Sequence, residues 1–113
     1  MSKVNLKVKL ITNEENLNFN ISGIINNNVI IYKDDNICTK LDLNNNILVR
    51  YNDEYEIILD FNKRKYEYNL KEYNKKIDGN LKVKELIKNS NYFNVSYNIE
   101  SNSINYEIYF EVV

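Results

Sequence analysis

The sequence predicts one small domain of the all-β class, an antiparallel meander closed or nearly closed into a barrel of about 8 to 10 strands. Apolar and polar residues alternate with a period of two from one end of the chain to the other, and no segment shows the period of a long helix. Turn-forming residues separate the alternating segments at short intervals. The 113 residues suffice for one core but not for two, so the domain covers residues 1–113.

The first two strands are predicted as a clear pair. Apolar residues at positions 4, 6, 8 and 10 alternate with Lys and Asn, so we expect one buried face and a wet face that carries Lys3, Lys7 and Lys9. The second strand covers residues 16–22 and reaches Gly23, which indicates a bulge or a bend.

The middle of the chain predicts successive hairpins with strands at 29–33, 37–43, 47–51, 55–61 and 66–70. Clusters of Asn and Asp form the turns between them. Residues 71–80 have no regular alternation and are expected to form a longer loop.

The last third begins with a strand at Leu81, whose alternation is broken by Leu86-Ile87, and this break indicates either a bulge or a short helical turn. The final hairpin joins residues 93–99 to 104–112 through a turn at Ser101-Asn102-Ser103. The residues predicted for the core are Phe19, Ile57, Leu59, Phe93 and Ile108. Hairpin-length connections favour a barrel over a Greek-key sandwich, which needs longer crossovers.

Composition excludes several classes of function. The fractions of apolar (43%) and charged (27%) residues are typical of a soluble globular protein. The apolar runs are too short to span a membrane and no secretory signal is recognisable, so we expect a cytoplasmic protein. With Cys38 as the one cysteine and no histidine, the chain cannot form an internal disulfide, a thiolate zinc site or a Ser-His-Asp or Cys-His nucleophile. We therefore expect no enzyme activity, no metal and no cofactor.

The order of the segments resembles a known family. The matching segments are residues 4–10, Gly23, 30–32, 39–43, 47–50, 59–61, Gly79 with 81–83, and 95–99. Over nearly its whole length the chain is similar to the YwiB-like proteins, small bacterial β-barrels of the calycin (lipocalin-like) type whose function is uncharacterised. The resemblance implies a calycin-like barrel and, by analogy with calycins, an internal cavity.

Arg50 is the most informative single residue, because it interrupts an apolar run and is followed by Tyr51. Alternation places Arg50 on the face of Leu48 and opposite Tyr51. If the Leu48 face lines the interior, Arg50 lies at the mouth of the barrel and needs an acidic or anionic partner. A surface or ion-paired Arg50 is the favoured interpretation, and binding of a ligand or anion by Arg50 and Tyr51 is the alternative.

Residues 62–89 carry nine basic and four acidic side chains, whereas the whole chain has a net charge of −1. The candidate basic patch consists of Lys63, Arg64, Lys65, Lys71, Lys75 and Lys76. Interleaved tyrosines could stack on bases while the cations contact phosphates. The pI of about 5.5 argues against a dedicated nucleic-acid domain and favours a solvated lysine-rich face.

The ten tyrosines are expected to divide between core and surface. Tyr66, Tyr68, Tyr97 and Tyr106 lie on the apolar phase of their strands and Tyr109 on the polar phase. The leading hypothesis is a non-catalytic binding or scaffold module, whose barrel either holds a small apolar ligand or is filled by its own side chains. The alternative is a weak binder of nucleic acid or an anionic partner through residues 62–89. The sequence leaves a protein partner and a homodimer open.

Overall fold

The computed structural model describes residues 1–113 as ten antiparallel strands with no helix. The strands are β1 (Ser2–Ile11), β2 (Asn16–Asn26), β3 (Val29–Asp34), β4 (Ile37–Asp42), β5 (Ile47–Tyr51), β6 (Tyr55–Asp60), β7 (Lys65–Leu70), β8 (Lys75–Asn89), β9 (Tyr92–Ile99) and β10 (Asn102–Val112). Each strand pairs with the next, and β10 pairs with β1 to close the barrel. The predicted all-β meander is confirmed, and it is consistent with a calycin-like barrel.

Five of the seven residues with a positive φ angle in the turns are Asn or Asp, which tolerate a left-handed backbone. Asn27 and Asn28 join β2 to β3 with φ angles of 52° and 63°. Two positive φ angles define the tight hairpin turn that matches the twist of the flanking strands, and asparagine accepts them at low cost. The structure contains no helix that is long and apolar enough to cross a membrane.

The core follows the predicted alternation. Leu59, Phe93 and Ile108 are buried, while Phe19 and Ile57 are half-buried and pack against the same cluster. The other buried apolar side chains are Val4, Leu6, Val8, Ile30, Tyr32, Leu41, Leu48, Phe61, Leu81, Val95, Tyr97, Tyr106 and Phe110. On the outer face of β1, Lys3 and Lys7 are exposed and Lys9 is half-buried, as the phase of this strand predicts.

The predicted loop at residues 71–80 is wrong. β8 begins at Lys75, and residues 75–80 pair with β7 after a four-residue turn that ends at Asn74, where φ is 48°. The alternation is hidden there because Ile77 is the single apolar residue and is itself 41% exposed. Further along β8 the register shifts between Val83 and Glu85, so the irregularity is a bulge and not a helical turn.

Gly23 lies where β2 and β3 approach each other closely. A Cβ atom at this position would lie 2.5 Å from the carbonyl oxygen of Ile31 and 3.2 Å from Cβ of Tyr32. Its φ angle is not positive, so the requirement is for space rather than for an unusual backbone. Gly23 therefore marks the point where β3 comes against β2. Near the end of the chain, the last turn lies at Glu100-Ser101, one residue before the predicted position.

Two long strands, β2 and β8, pair with their two neighbours over different parts of their length. β2 pairs with β1 along its length but with β3 only through residues 24–26. β8 pairs with β7 through residues 75–80 and with β9 through residues 81–89. Because of this division, part of β2 and part of β8 have a neighbouring strand on one side only.

Candidate anion-binding site in the barrel

Arg50 lies on the inner face of the barrel. It is opposite Thr39 of β4 and Ile57 of β6, in the same phase as buried Leu48. The Leu48 face thus lines the interior, which is the condition under which the sequence requires an acidic or anionic partner for Arg50. The sequence favours a surface or ion-paired arginine; in the structure Arg50 is half-buried on the inward phase and forms no ion pair.

Four polar side chains from the surrounding strands share this part of the interior. Tyr32, Thr39, Tyr97 and Tyr106 are at most 5% exposed and occupy the inward phase of β3, β4, β9 and β10. The hydroxyl oxygens of Tyr32 and Tyr106 are 2.8 Å apart and share a hydrogen bond across the barrel. Alternation predicts the burial of Tyr97 and Tyr106, but it does not reveal that both lie near enough to Arg50 for its charge to oppose the rise that burial causes in their pKa.

Burial sets the charge state of these tyrosines. It raises the pKa of Tyr97 to about 12 and the pKa of Tyr106 well above its usual range, and it raises the pKa of Tyr32 as well. The nearby Arg50 guanidinium opposes each of these three pKa shifts without overcoming the effect of burial. The phenols are therefore neutral at physiological pH and do not neutralise the charge of Arg50.

Arg50 has no partner in the protein. Its Nε atom is buried and makes no hydrogen bond, and the Oγ1 atom of Thr39 is buried and equally unsatisfied. The single ion pair of the chain, Lys76 with Glu67 at 2.7 Å, does not involve Arg50. Nε is the only guanidinium nitrogen that is both inaccessible to solvent and without a hydrogen bond. The two terminal nitrogens therefore remain accessible to solvent or to a ligand. A half-buried cation with neutral hydroxyls nearby and no acidic partner is an arrangement that favours an anion.

The inward-facing side chains become more exposed beyond Arg50, toward the turn that joins β5 to β6. Leu17 and Ile77 are each 41% exposed there although both lie on the inner face of their strands. Phe19, Tyr55 and Tyr68 are half-buried, and the rings of the two tyrosines stack with centroids 5.7 Å apart. The inward-facing walls at this end of the barrel, the mouth, are apolar and partly exposed, whereas the turns that surround it carry Glu14, Glu15, Asp35, Asp53 and Glu54.

The opposite half of the barrel is filled by its own side chains. Leu41, Leu48 and Phe93 are at most 2% exposed, and Phe61 packs on Phe93 and Tyr97 with ring centroids 6.4 and 5.1 Å apart. Arg50 therefore lies between a packed end and the apolar mouth.

Tyr51 does not join Arg50. It lies on the outer face of β5, opposite Cys38 of β4, and the Nζ atom of Lys71 is 5.8 Å from the centre of its ring. The neighbouring Cys38 thiol raises the pKa of Tyr51. The two residues that the sequence grouped as one candidate site lie on opposite faces of the strand.

The candidate basic patch is divided between the two ends of β7. Lys63, Arg64 and Lys65 lie at its start, whereas Lys71 follows its last residue and Lys75 and Lys76 pair beside that end from β8. The six residues of β7 place these groups roughly 17 Å apart at about 3.3 Å per residue. All six side chains are exposed, but they do not form one continuous cluster.

Hydrogen bonds and nearby acids further weaken this patch. Lys71 donates to the carbonyl oxygen of Asn52 at 2.6 Å, and Lys76 pairs with Glu67. Lys63 and Lys65 line an open groove of about 440 Å³ whose other charged residues are Asp60, Glu67 and Asp78. The local charge is mixed, which does not favour a phosphate backbone.

Comparison with protein-family models and with curated protein sequences found no significant match to this chain. The fold and the site together define a ten-stranded antiparallel barrel with an unpaired arginine between its packed end and its mouth.

Proposed function

We propose that the protein is a non-catalytic binding module whose barrel takes a small ligand with an anionic group on Arg50 and an apolar part in the mouth. The observation that carries this proposal is the inward-facing Arg50, with a buried Nε and no hydrogen-bond or ion-pair partner in the chain. Membership of the YwiB-like family and a cytoplasmic location belong to the same proposal, and they rest on the segment resemblance and the sequence pattern.

The chemistry of the site supports an oxyanion. A guanidinium donates to carboxylate, sulfonate or phosphate oxygens in a planar, charge-assisted geometry. The hydroxyl of Tyr97 makes no hydrogen bond within the protein, and burial keeps its pKa at about 12, so it remains a proton donor. The hydroxyl of Thr39 supplies a further unsatisfied group. An anion held at Arg50 would give several of these groups the partner that they lack.

The mouth supports an apolar portion of the ligand. Phe19, Tyr55 and Tyr68 present half-buried aromatic surface on the inner face of β2, β6 and β7. Ligand sites in proteins combine mainly apolar walls with a few polar groups that fix orientation. Covering the exposed parts of Leu17 and Ile77 would add apolar burial to the charge contact.

The proposal is tested with two dyes that differ in one group. Anilinonaphthalene sulfonate carries a sulfonate, and N-phenyl-1-naphthylamine has the same aromatic frame without charge. We expect Arg50→Gln to weaken binding of the sulfonate dye by about 10-fold or more, the value of a charge-assisted hydrogen bond of about 1.5 to 3 kcal/mol. Binding of the uncharged dye should change little, because the apolar mouth is retained.

Lys40→Gln is the matched control, because it removes a cation from the exposed outer face of β4. This variant should bind both dyes as the parent does. Equal loss of the sulfonate dye in both variants would show that only net charge matters. Unchanged binding in Arg50→Gln would contradict the proposed site.

A further inference from the structure

One side of β2 has no neighbouring strand over residues 16–22. The hydrogen bond from the N–H of Thr12 to the carbonyl of Glu15, 2.9 Å long, fixes which residues of this hairpin exchange backbone bonds. Alternation from that point directs the backbone groups of residues 16, 18, 20 and 22 away from β1. They form a row of unpaired donors and acceptors, which is a template for another strand.

This edge has none of the usual protection against pairing. Residues 16–28 contain no charged residue, although 27% of the chain is charged, and the chain has no proline. The unpaired side of β8 is different, because Lys82, Lys84 and Lys88 lie on that strand and a bulge interrupts it after Val83. Lysines and bulges are devices that block association at strand edges. The barrel protects one edge and leaves the other open.

The sequence of the open edge is complementary to itself. A two-fold axis at Phe19 places Leu17 opposite Ile21 of a second copy, and Asn18 opposite its Asn20. Apolar side chains then face apolar ones on the inner side of the sheet, and amides face amides on the outer side. Leu17 is 41% exposed in one chain, so such pairing would also cover apolar surface.

We propose that the open edge of β2, residues 16–22, pairs antiparallel with the same edge of a second copy of this chain to give a two-fold homodimer. Four outward-facing residues on each chain would exchange about eight backbone hydrogen bonds. This inference does not rest on the Arg50 site; the two proposals share the exposed surface of Leu17, and their tests use different variants.

The test uses charge at the centre of the edge. Asn18→Lys/Asn20→Lys places like charges opposite one another across the axis, and Asn18→Glu/Asn20→Glu does the same with the opposite sign. Native mass spectrometry and light scattering across a concentration series should give a dimer for the parent and a monomer for each double variant. An equal mixture of the two variants should form a heterodimer.

The control variant Asn80→Lys/Asn102→Lys adds the same charge at exposed positions on β8 and β10 and should remain dimeric. Circular dichroism of all variants checks that the barrel is folded. A parent that is monomeric throughout the series would overturn the proposal. Lysine and glutamate variants that stay dimeric alone, or folded variants that do not associate when mixed, would overturn it as well.

Discussion

The hydrogen bond between Tyr32 and Tyr106 gives a quantitative test of the polar cluster around Arg50. The two hydroxyl oxygens are 2.8 Å apart, and the residues are 4% and 3% exposed. Replacing either tyrosine by phenylalanine keeps the ring and removes one end of the bond. The remaining hydroxyl then stays buried without its partner, which typically costs about 1 to 3 kcal/mol.

The two single substitutions should not cost the same. After Tyr106→Phe, the Tyr32 hydroxyl can turn toward Thr39, whose Oγ1 lies near enough to lower the pKa of Tyr32. After Tyr32→Phe, the Tyr106 hydroxyl has no such alternative. We expect a loss in the free energy of unfolding of about 1 kcal/mol for Tyr106→Phe and about 2 kcal/mol for Tyr32→Phe. The double variant should lose about 1 kcal/mol less than the sum of the two, because no orphaned hydroxyl remains.

Urea unfolding of the parent, the two single variants and the double variant measures all four free energies. Tyr109→Phe is the matched control, because Tyr109 is 50% exposed and its substitution should change stability by less than about 0.5 kcal/mol. Single losses that are equal and strictly additive would refute the account of a shared buried bond with one alternative acceptor.

Three further predictions concern the core, the alkaline limit and the basic segment. Leu59→Ala should lower the free energy of unfolding by about 2 to 5 kcal/mol in urea melts, because Leu59 is 3% exposed, and a variant as stable as the parent would contradict its placement. Burial raises the pKa of Tyr97 from 10.0 to about 12, so its stabilising effect is complete below pH 10 and is lost as the pH rises to 12. The free energy of unfolding measured in urea should therefore fall across that window, by up to about 1.4 kcal/mol per pH unit for each such tyrosine. A constant free energy of unfolding would contradict the burial. Fluorescence anisotropy with a single-stranded oligonucleotide at about 50 and 200 mM salt should show at most weak, salt-sensitive binding. Tight binding at the higher salt, abolished by charge reversal, would favour the nucleic-acid alternative; the residues to reverse are Lys63, Arg64 and Lys65.

The sequence predicts the fold well because alternation is a direct consequence of a sheet with one buried face. The strands on both sides of residues 71–80 follow this rule, and their positions are confirmed. The first part of β8 was missed because its side chains are exposed on both faces, so Lys75, Lys76 and Asp78 are tolerated at strand positions. Pairing with β7 holds this segment extended, and long-range pairing of this kind leaves no local pattern.

The candidate site could be predicted only in part. Alternation assigns Arg50 to the face of Leu48, but the burial of that face depends on how the sheet closes. The contact between Tyr32 and Tyr106 joins residues 74 positions apart in the chain, and no spacing rule connects them. The basic segment failed as a single patch for the opposite reason: neighbours in sequence are separated by the length of β7.

A crystal structure of the protein grown with an alkyl sulfate, a ligand with an oxyanion and an apolar chain, would test the Arg50 site most directly. We expect sulfate oxygens at roughly 2.7 to 2.9 Å from the terminal nitrogens of Arg50, with the alkyl chain directed past Phe19 toward the mouth. A structure in which the sulfate groups contact only surface lysines, and the surroundings of Arg50 hold no anion, would contradict it.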